Sequence, residues 1–266
     1  MAQNIMNVVR STLLSTALFL VGFRSTPLSA QEKKDIKALP PQIILAMPMA
    51  VEMGKTTKIT LRGQHIDNVT GIQVQEPKST GKIVGKGKKV PVPNQANPAQ
   101  VGDGEIEIEI TLPKEVPGGV VPFAVVGPGG ESKPHLLIVK DDVPIVAEKE
   151  PNDGFKQAQP ISLPCVVEGS IRQPQDVDVF RIEGKQGEKW LFDLQANRFG
   201  SPLDGMLTLY DATGGVIASA DDSPGSIDPI LNVTLPRTGT YYLSLIDAHD
   251  QGGSIFLYRL VARSTK

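Results

Sequence analysis

Short runs in which apolar and polar residues alternate, separated by glycine and proline, constrain this chain more than any other feature. In Glu105 to Leu112 (EIEIEITL) every second side chain is isoleucine or leucine, and the others are glutamate or threonine. This period of two predicts a β-strand with one buried and one solvated face. The 26 glycines and 22 prolines recur between such runs, and no run keeps a helical period. The sequence therefore predicts an all-β protein.

The first 30 residues have the composition of a secretory signal peptide. Arg10 precedes an apolar stretch at residues 11–23, and small residues lead up to Ala30. The stretch is too short to span a bilayer stably, and no stop-transfer segment follows it. We expect cleavage near Ala30 and a mature chain without a transmembrane anchor. The expected location is secreted, or periplasmic in the cell envelope.

The remaining chain divides into two predicted sandwiches. Residues 31–40 are polar and predict a flexible tail, and residues 41–140 predict an immunoglobulin-like sandwich. Residues 141–147 predict a linker. Residues 148–266 contain about eight alternating strands, which is the strand count of a jelly-roll-like β-sandwich.

Charge is unevenly distributed between these parts. Residues 141–266 carry 18 acidic and 11 basic side chains, a balance that disfavours nucleic acid as a partner and leaves room for a cation. Residues 78–101 instead contain five lysines. They form either an anion-binding patch or a solvated long loop or protruding hairpin, and the absence of aromatic residues between the lysines favours the loop or hairpin.

The segment from Glu148 to Asp153 (EKEPND) concentrates oxygen-bearing side chains. Pro151 favours an extended conformation at Glu150, and side chains two residues apart in an extended chain point the same way. Calcium takes six to eight oxygen ligands, and two aspartates of the next predicted loop can add to the shell. The expected ligands are Glu148, Glu150, Asn152, Asp153, Asp176 and Asp178. The alternative is a solvated acidic linker with an Asn-Asp turn.

A second acidic group falls in predicted loops of the same half of the chain. Its members are Asp204, Asp221, Asp222 and Asp228. They either meet at one end of the sandwich or serve as turn formers, and the second interpretation is favoured because aspartate commonly stabilises turns. Cys165 is the only cysteine, so no intrachain disulfide can form, and we expect its thiol to be buried and inert.

Residues 148–263 resemble the bacterial pre-peptidase C-terminal domain family. The resemblance is carried by EKEPND at 148–153, DVDVF at 176–180, SPLD at 201–204, LYDATGG at 209–215, the Asp221–Asp222 pair and GTYY at 239–242. It implies a jelly-roll-like, non-catalytic domain of the kind usually attached to secreted proteases. In collagenase relatives the matching Glu-x-Glu-x-Asn-Asp and Asp-x-x-Asp runs hold calcium. Here Gln175 replaces the first aspartate of the second run, which implies a site with one negative charge fewer.

Residues 41–140 resemble, through fewer residues, the IPT/TIG immunoglobulin-like domains. The matching parts are Pro41 to Met53 with a turn at Gly54, Lys58 to Gly63, and Gly71 to Val74. A sandwich fold alone implies no particular function.

The sequence contains none of the common catalytic signatures: G-x-S-x-G, H-E-x-x-H, Cys/His zinc spacing, or a phosphate-binding glycine loop. We therefore expect an exported, non-catalytic binding or scaffold protein with calcium as a structural cofactor. Its expected partner is an exported protein or a cell-surface polymer. The alternatives are an accessory subunit or targeting module for a secreted hydrolase or protease, and a hydrolase with an unrecognised site.

Overall fold

The computed structural model describes residues 38–93, 96–140 and 142–265. The predicted signal peptide and residues 31–37 of the predicted tail lie outside this part. Its secondary structure consists of strands, one short helix, α1 (Pro98–Val101), and short 3-10 turns. The all-β prediction is confirmed. No helix in the described ranges is long and apolar enough to cross a membrane.

Two sheets form the first sandwich. The strands described between residues 38 and 140 are β1 (Gln42–Met47), β2 (Ala50–Val51), β3 (Thr56–Gln64), β4 (Gly71–Val74), β5 (Thr80–Ile83), β6 (Lys88–Lys89), β7 (Gly104–Thr111), β8 (Gly119–Gly127), β9 (Gly130–Glu131) and β10 (His135–Val139). One sheet has the order β1-β3-β7-β5, with β6 paired to β7. The other has the order β2-β10-β8-β4, with β9 paired to β8.

Strand β7 shows how the sequence period fixes the sides of this sandwich. Ile106, Ile108 and Ile110 are buried in the core between the two sheets. The intervening glutamates face outward and pair with lysines. These ion pairs join Glu107 to Lys58, Glu105 to Lys88 and Glu109 to Lys82, over 2.9, 3.3 and 3.9 Å. The lysine-rich stretch is therefore partly neutralised by β7.

Two further sheets form the second sandwich. Its described strands are β11 (Ile145–Ala147), β12 (Gln159–Pro160), β13 (Cys165–Ser170), β14 (Val177–Gly184), β15 (Lys189–Gln195), β16 (Gly205–Asp211), β17 (Val216–Ala220), β18 (Ile230–Thr234), β19 (Gly239–Asp247) and β20 (Leu257–Ser264). The sheet orders are β11-β13-β20-β15-β18 and β12-β14-β19-β16-β17. The predicted linker thus contains a strand, since β11 pairs in parallel with β13.

The two sandwiches share packed contacts beyond the connecting segment. Leu45, Met49 and Ile138 of the first sandwich belong to the same buried apolar cluster as the core of the second. Gly200 has φ 92°, and a Cβ atom there would lie 1.6 Å from the carbonyl oxygen of Ile44. Only glycine allows this approach of the two backbones. The junction is therefore a packed interface.

Candidate functional site

The loop that follows β11 meets the start of β14 at one end of the second sandwich. The Glu148 N–H donates to the Glu168 carbonyl over 2.9 Å, and the Val179 N–H donates to the Asn152 carbonyl over 3.0 Å. These two bonds fix the loop against β13 and β14. The peptide bond between Glu150 and Pro151 is cis.

This arrangement brings the acidic residues predicted from the sequence into two overlapping groups. Ligand oxygens of Glu148, Glu150 and Asp178 lie within 4.8 Å of one another, and those of Glu150, Asp153 and Asp176 do the same. Glu150 belongs to both groups. The sixth predicted residue, Asn152, is fully buried. The loop thus places oxygen-bearing side chains at cation-binding distances from one another.

Several buried polar atoms at this end have no hydrogen-bond partner among the described residues. They are Oε1 of Glu148, Oδ1 of Asp178, and both Oδ1 and Nδ2 of Asn152. Asp178 and Asn152 are 0% exposed, so solvent does not reach these side chains. A buried polar group left without a partner costs about 1–3 kcal/mol, and more when it is charged. A bound ion or an ordered water would satisfy buried oxygen atoms of this kind.

Several other carboxylate oxygens of this site have protein partners. Arg172 is half-exposed and lies 3.4 Å from Glu148 Oε2 and 3.8 Å from Glu150 Oε1. Its backbone N–H donates to Asp176 over 2.6 Å. The Tyr258 hydroxyl donates to Asp178 Oδ2 over 2.5 Å. The Arg172 guanidinium is thus one positive charge beside several negatively charged carboxylates.

Burial and like charge both act on the acidic groups here. Burial raises the pKa of Asp178 to about 7, and nearby Glu148 and Asp176 raise it further, whereas the Tyr258 hydroxyl and, more weakly, the adjacent Asn152 side chain lower it. The pKa of Glu148 is also raised, first by burial, although Arg172 lowers it. Both shifts mean that the ionised carboxylates are poorly compensated by the protein. A divalent cation would compensate them directly.

Arg172 and Tyr258 were not predicted as part of this site. Tyr258 lies on β20, 80 residues beyond Asp178, and its alternating pattern indicates only that it faces inward. Gln175, which stands in place of an aspartate of the relatives, has a left-handed backbone with φ 66°.

The second predicted acidic group is divided. Asp204 lies near Asp221 and Asp222, and its pKa is raised by burial and then by their like charges, whereas Asp228 has other partners. Asp228 is buried and accepts backbone N–H groups from residues 196–198 over 2.7–3.2 Å. Asp204 instead pairs with His249 Nδ1 at 3.3 Å. Asp221 and Asp222 are exposed. Asp228 therefore organises a loop, in agreement with the turn-forming interpretation.

Comparisons with known proteins bear on the same half of the chain. Residues 176–246, which include Asp176 and Asp178, match the family model of the bacterial pre-peptidase C-terminal domain. The second sandwich carries a bacterial pre-peptidase C-terminal domain. A probable subtilase-type serine protease of Deinococcus radiodurans is 36% identical over 116 residues, which are 42% of this chain and 16% of that protein. The chain thus spans about a sixth of this relative.

Two solved structures are similar to this chain at lower sequence identity. The pre-peptidase C-terminal domain of a Bacillus anthracis collagenase is 15% identical, with a TM-score of 0.34, over 44% of this chain and 100% of that one. SGBP-B of the Bacteroides ovatus mixed-linkage glucan utilization locus is 11% identical, with a TM-score of 0.27, over 84% of this chain and 76% of that one. The resemblance of residues 41–140 to IPT/TIG domains stays a prediction.

Proposed function

We propose that this chain is an exported, non-catalytic binding protein whose pre-peptidase C-terminal domain is stabilised by bound calcium. The proposed ligands are the carboxylates of Glu148, Glu150, Asp153, Asp176 and Asp178 and the amide oxygen of Asn152. When bound, the ion supplies two positive charges to a buried site in which Arg172 is the nearby cation. The chain's own residues orient the oxygens, exclude water and hold the loop against β13 and β14.

One observation carries this proposal: buried oxygens of Glu148, Asn152 and Asp178, all at this end of the sandwich, have no hydrogen-bond partner among the described residues. A solvated acidic linker, the alternative interpretation, would keep its oxygens hydrated. Here two of these three side chains are fully buried. Oxygen ligands of mixed carboxylate and amide type are those that calcium prefers. The residues present therefore fit this ion.

Export and a binding role are supported by the rest of the chain. The first 30 residues have the composition of a signal peptide, and the matched relative is a probable serine protease. A non-catalytic module beside a secreted enzyme is compatible with both features. We therefore place the protein outside the cytoplasm, with an exported protein or a cell-surface polymer as its partner.

The hydrolase alternative has one feature in its favour, the contact between Asp204 and His249 in a cleft between the sandwiches. Ser201 lines the same cleft, but its hydroxyl is buried and donates to the Ile255 carbonyl over 3.3 Å. It therefore does not engage His249 as an activated nucleophile would. Protease and esterase assays on the wild type and His249→Ala test this alternative, which predicts turnover that the substitution abolishes.

Thermal unfolding of the full chain with calcium or with a chelator tests the calcium proposal. Calcium at about 100 times its dissociation constant should stabilise the protein by about 3 kcal/mol, which corresponds to a rise of about 5–10 °C in the unfolding midpoint. Asp178→Asn and Glu148→Gln should reduce this rise strongly. Glu115→Gln, an exposed position in the first sandwich, is the matched control and should keep it. Equal wild-type midpoints in calcium and chelator would contradict the proposal.

A further inference from the structure

A cleft of about 480 Å³ lies between the two sandwiches, apart from the proposed calcium site. Ile44, Pro93 and Gln100 line it from the first sandwich, and Pro202, Asp204 and Ile227 from the second. This volume is within the range of small-ligand sites, and domain junctions are a common place for them. The cleft includes none of the six proposed calcium ligands.

A buried arginine holds the wall that comes from the first sandwich. Arg62 donates to the carbonyl oxygens of Val101, Pro91 and Gly102 over 2.7, 2.6 and 3.1 Å. These carbonyls belong to the segment that contains α1, from which Gln100 reaches the cleft. A buried charge is costly unless it is fully bonded. Here that charge fixes an irregular segment at the edge of the cleft.

Two buried aspartates hold the walls that come from the second sandwich. Asp228 accepts the backbone N–H groups of residues 196–198, which lead into the cleft-lining Pro202. Asp247 accepts the N–H groups of Asp204, His249 and Gln251 over 3.0, 3.0 and 2.9 Å. The backbone that carries the polar lining groups is therefore fixed before any ligand arrives, as a specific site requires.

The lining has the chemistry of a site for a cation on an aliphatic stem. Asp204 supplies a partly buried carboxylate, and the described lining residues include no lysine or arginine. Its partner His249 is 66% exposed in the side chain, so a stronger cation can displace it. Proline and isoleucine side chains form apolar walls on both sides, which suit methylene groups. Phe256 is only 3% exposed, so it offers no platform for stacking a sugar ring.

We propose that this cleft takes a lysine or arginine side chain of an exported partner protein, with the cationic end at Asp204 and the stem between Ile44, Pro202 and Ile227. The assignment rests on the proposed binding role and names its partner class. It does not depend on calcium.

Calorimetric titration of the full chain with short peptides tests the assignment. The probes are acetylated, amidated alanine pentapeptides whose central residue is lysine, arginine or norleucine. The lysine and arginine peptides should bind at least about tenfold more tightly than the norleucine peptide, because a charge-assisted contact contributes about that factor. Asp204→Asn should weaken lysine-peptide binding about tenfold. Asp250→Asn, the same charge change at an exposed position of the neighbouring loop, should leave it within about twofold.

A second variant tests the cleft rather than the charge. Ile227→Trp enlarges a partly exposed lining side chain and should abolish peptide binding while leaving the unfolding midpoint unchanged. Equal affinity for lysine and norleucine peptides, unchanged binding by Asp204→Asn, or no binding by any peptide would overturn the proposal. So would Asp204-dependent binding of cellohexaose in place of the peptides. Calcium-dependent unfolding of Asp204→Asn, measured in parallel, shows separately whether the calcium proposal stands.

Discussion

Asp178 and Asp228 are both fully buried carboxylates of the second sandwich, yet their surroundings differ. Asp228 accepts three backbone N–H groups and lies 3.6 Å from the Arg198 guanidinium. Asp178 has one hydroxyl partner, and its Oδ1 has none among the described residues. The protein itself compensates the first charge. The second lies among further carboxylates, and the proposed calcium ion would supply the positive charge that balances it.

The largest expected effect comes from Asp228→Asn. The new amide nitrogen cannot accept an N–H bond, so the loop at residues 196–198 loses at least one of its anchors. We expect a loss of about 2–3 kcal/mol in the free energy of unfolding, measured by denaturant titration. The loss should be the same in calcium and in chelator. A calcium-dependent loss would show that the two carboxylates do not have separate roles.

The next effect concerns His135 of the first sandwich, whose buried Nε2 also has no hydrogen-bond partner among the described residues. It packs edge-on against Phe123, and burial lowers its pKa from 6.5 to about 4. His135 therefore becomes protonated near pH 6.5 in the unfolded chain but stays neutral in the folded chain until about pH 4. The His135 contribution to stability is complete above pH 6.5 and falls as the pH drops toward 4, by about 2 kcal/mol at pH 5. In the absence of calcium, protonation of buried Asp178, whose pKa is raised, stabilises the folded chain over the same range. The His135 contribution is therefore read as the difference between the wild type and His135→Gln.

Unfolding measured between pH 7.5 and 4.5 tests this prediction. His135→Gln should reduce the acid-induced loss, and the exposed control His65→Asn should not. Neither variant should change the response to calcium, since His135 belongs to neither acidic group. A wild-type pH dependence in His135→Gln would contradict the assigned protonation state.

The smallest effect is expected from Asp178→Asn in the absence of calcium. Removing this uncompensated charge should leave the protein as stable as the wild type, or more stable by about 1 kcal/mol. The measurement is denaturant unfolding at pH 8 in chelator. The same chemical change thus has opposite signs at Asp178 and Asp228. If Asp178→Asn lowered the free energy of unfolding by more than about 2 kcal/mol, Asp178 would hold the folded structure together as Asp228 does, which would contradict the distinction between them.

The sequence predicted the elements whose side chains alternate, such as β7 and β19, because burial on one face leaves a period of two. Strands β11 and β12 have only three and two residues, too few to show a period, and β11 was therefore included in a predicted linker. The six proposed ligands were predicted because they cluster in two short segments. Arg172 and Tyr258 reach the site through tertiary packing, which local spacing does not encode.

The packed junction between the sandwiches was also missed, because it too depends on tertiary packing. In β10, Leu137 and Val139 belong to the first core, whereas Ile138 packs with the second. An apolar residue on each side of one strand can be buried by its own domain or by a neighbour, and the sequence does not distinguish the two. Likewise, Asp228 and Asp247 accept backbone N–H groups, whereas Asp204 faces a cleft. The residues next to these aspartates in the sequence do not indicate this difference.

A crystal structure of the full chain grown with calcium tests the central claim most directly. We expect an ion at about 2.3–2.6 Å from Glu148 Oε1, Asn152 Oδ1 and Asp178 Oδ1, the oxygens without partners among the described residues. The neighbouring carboxylates should complete its shell, and Arg172 should move away from Glu148. If these oxygens were bonded only to protein or water at saturating calcium, with Arg172 still in contact with Glu148, that structure would contradict the calcium proposal.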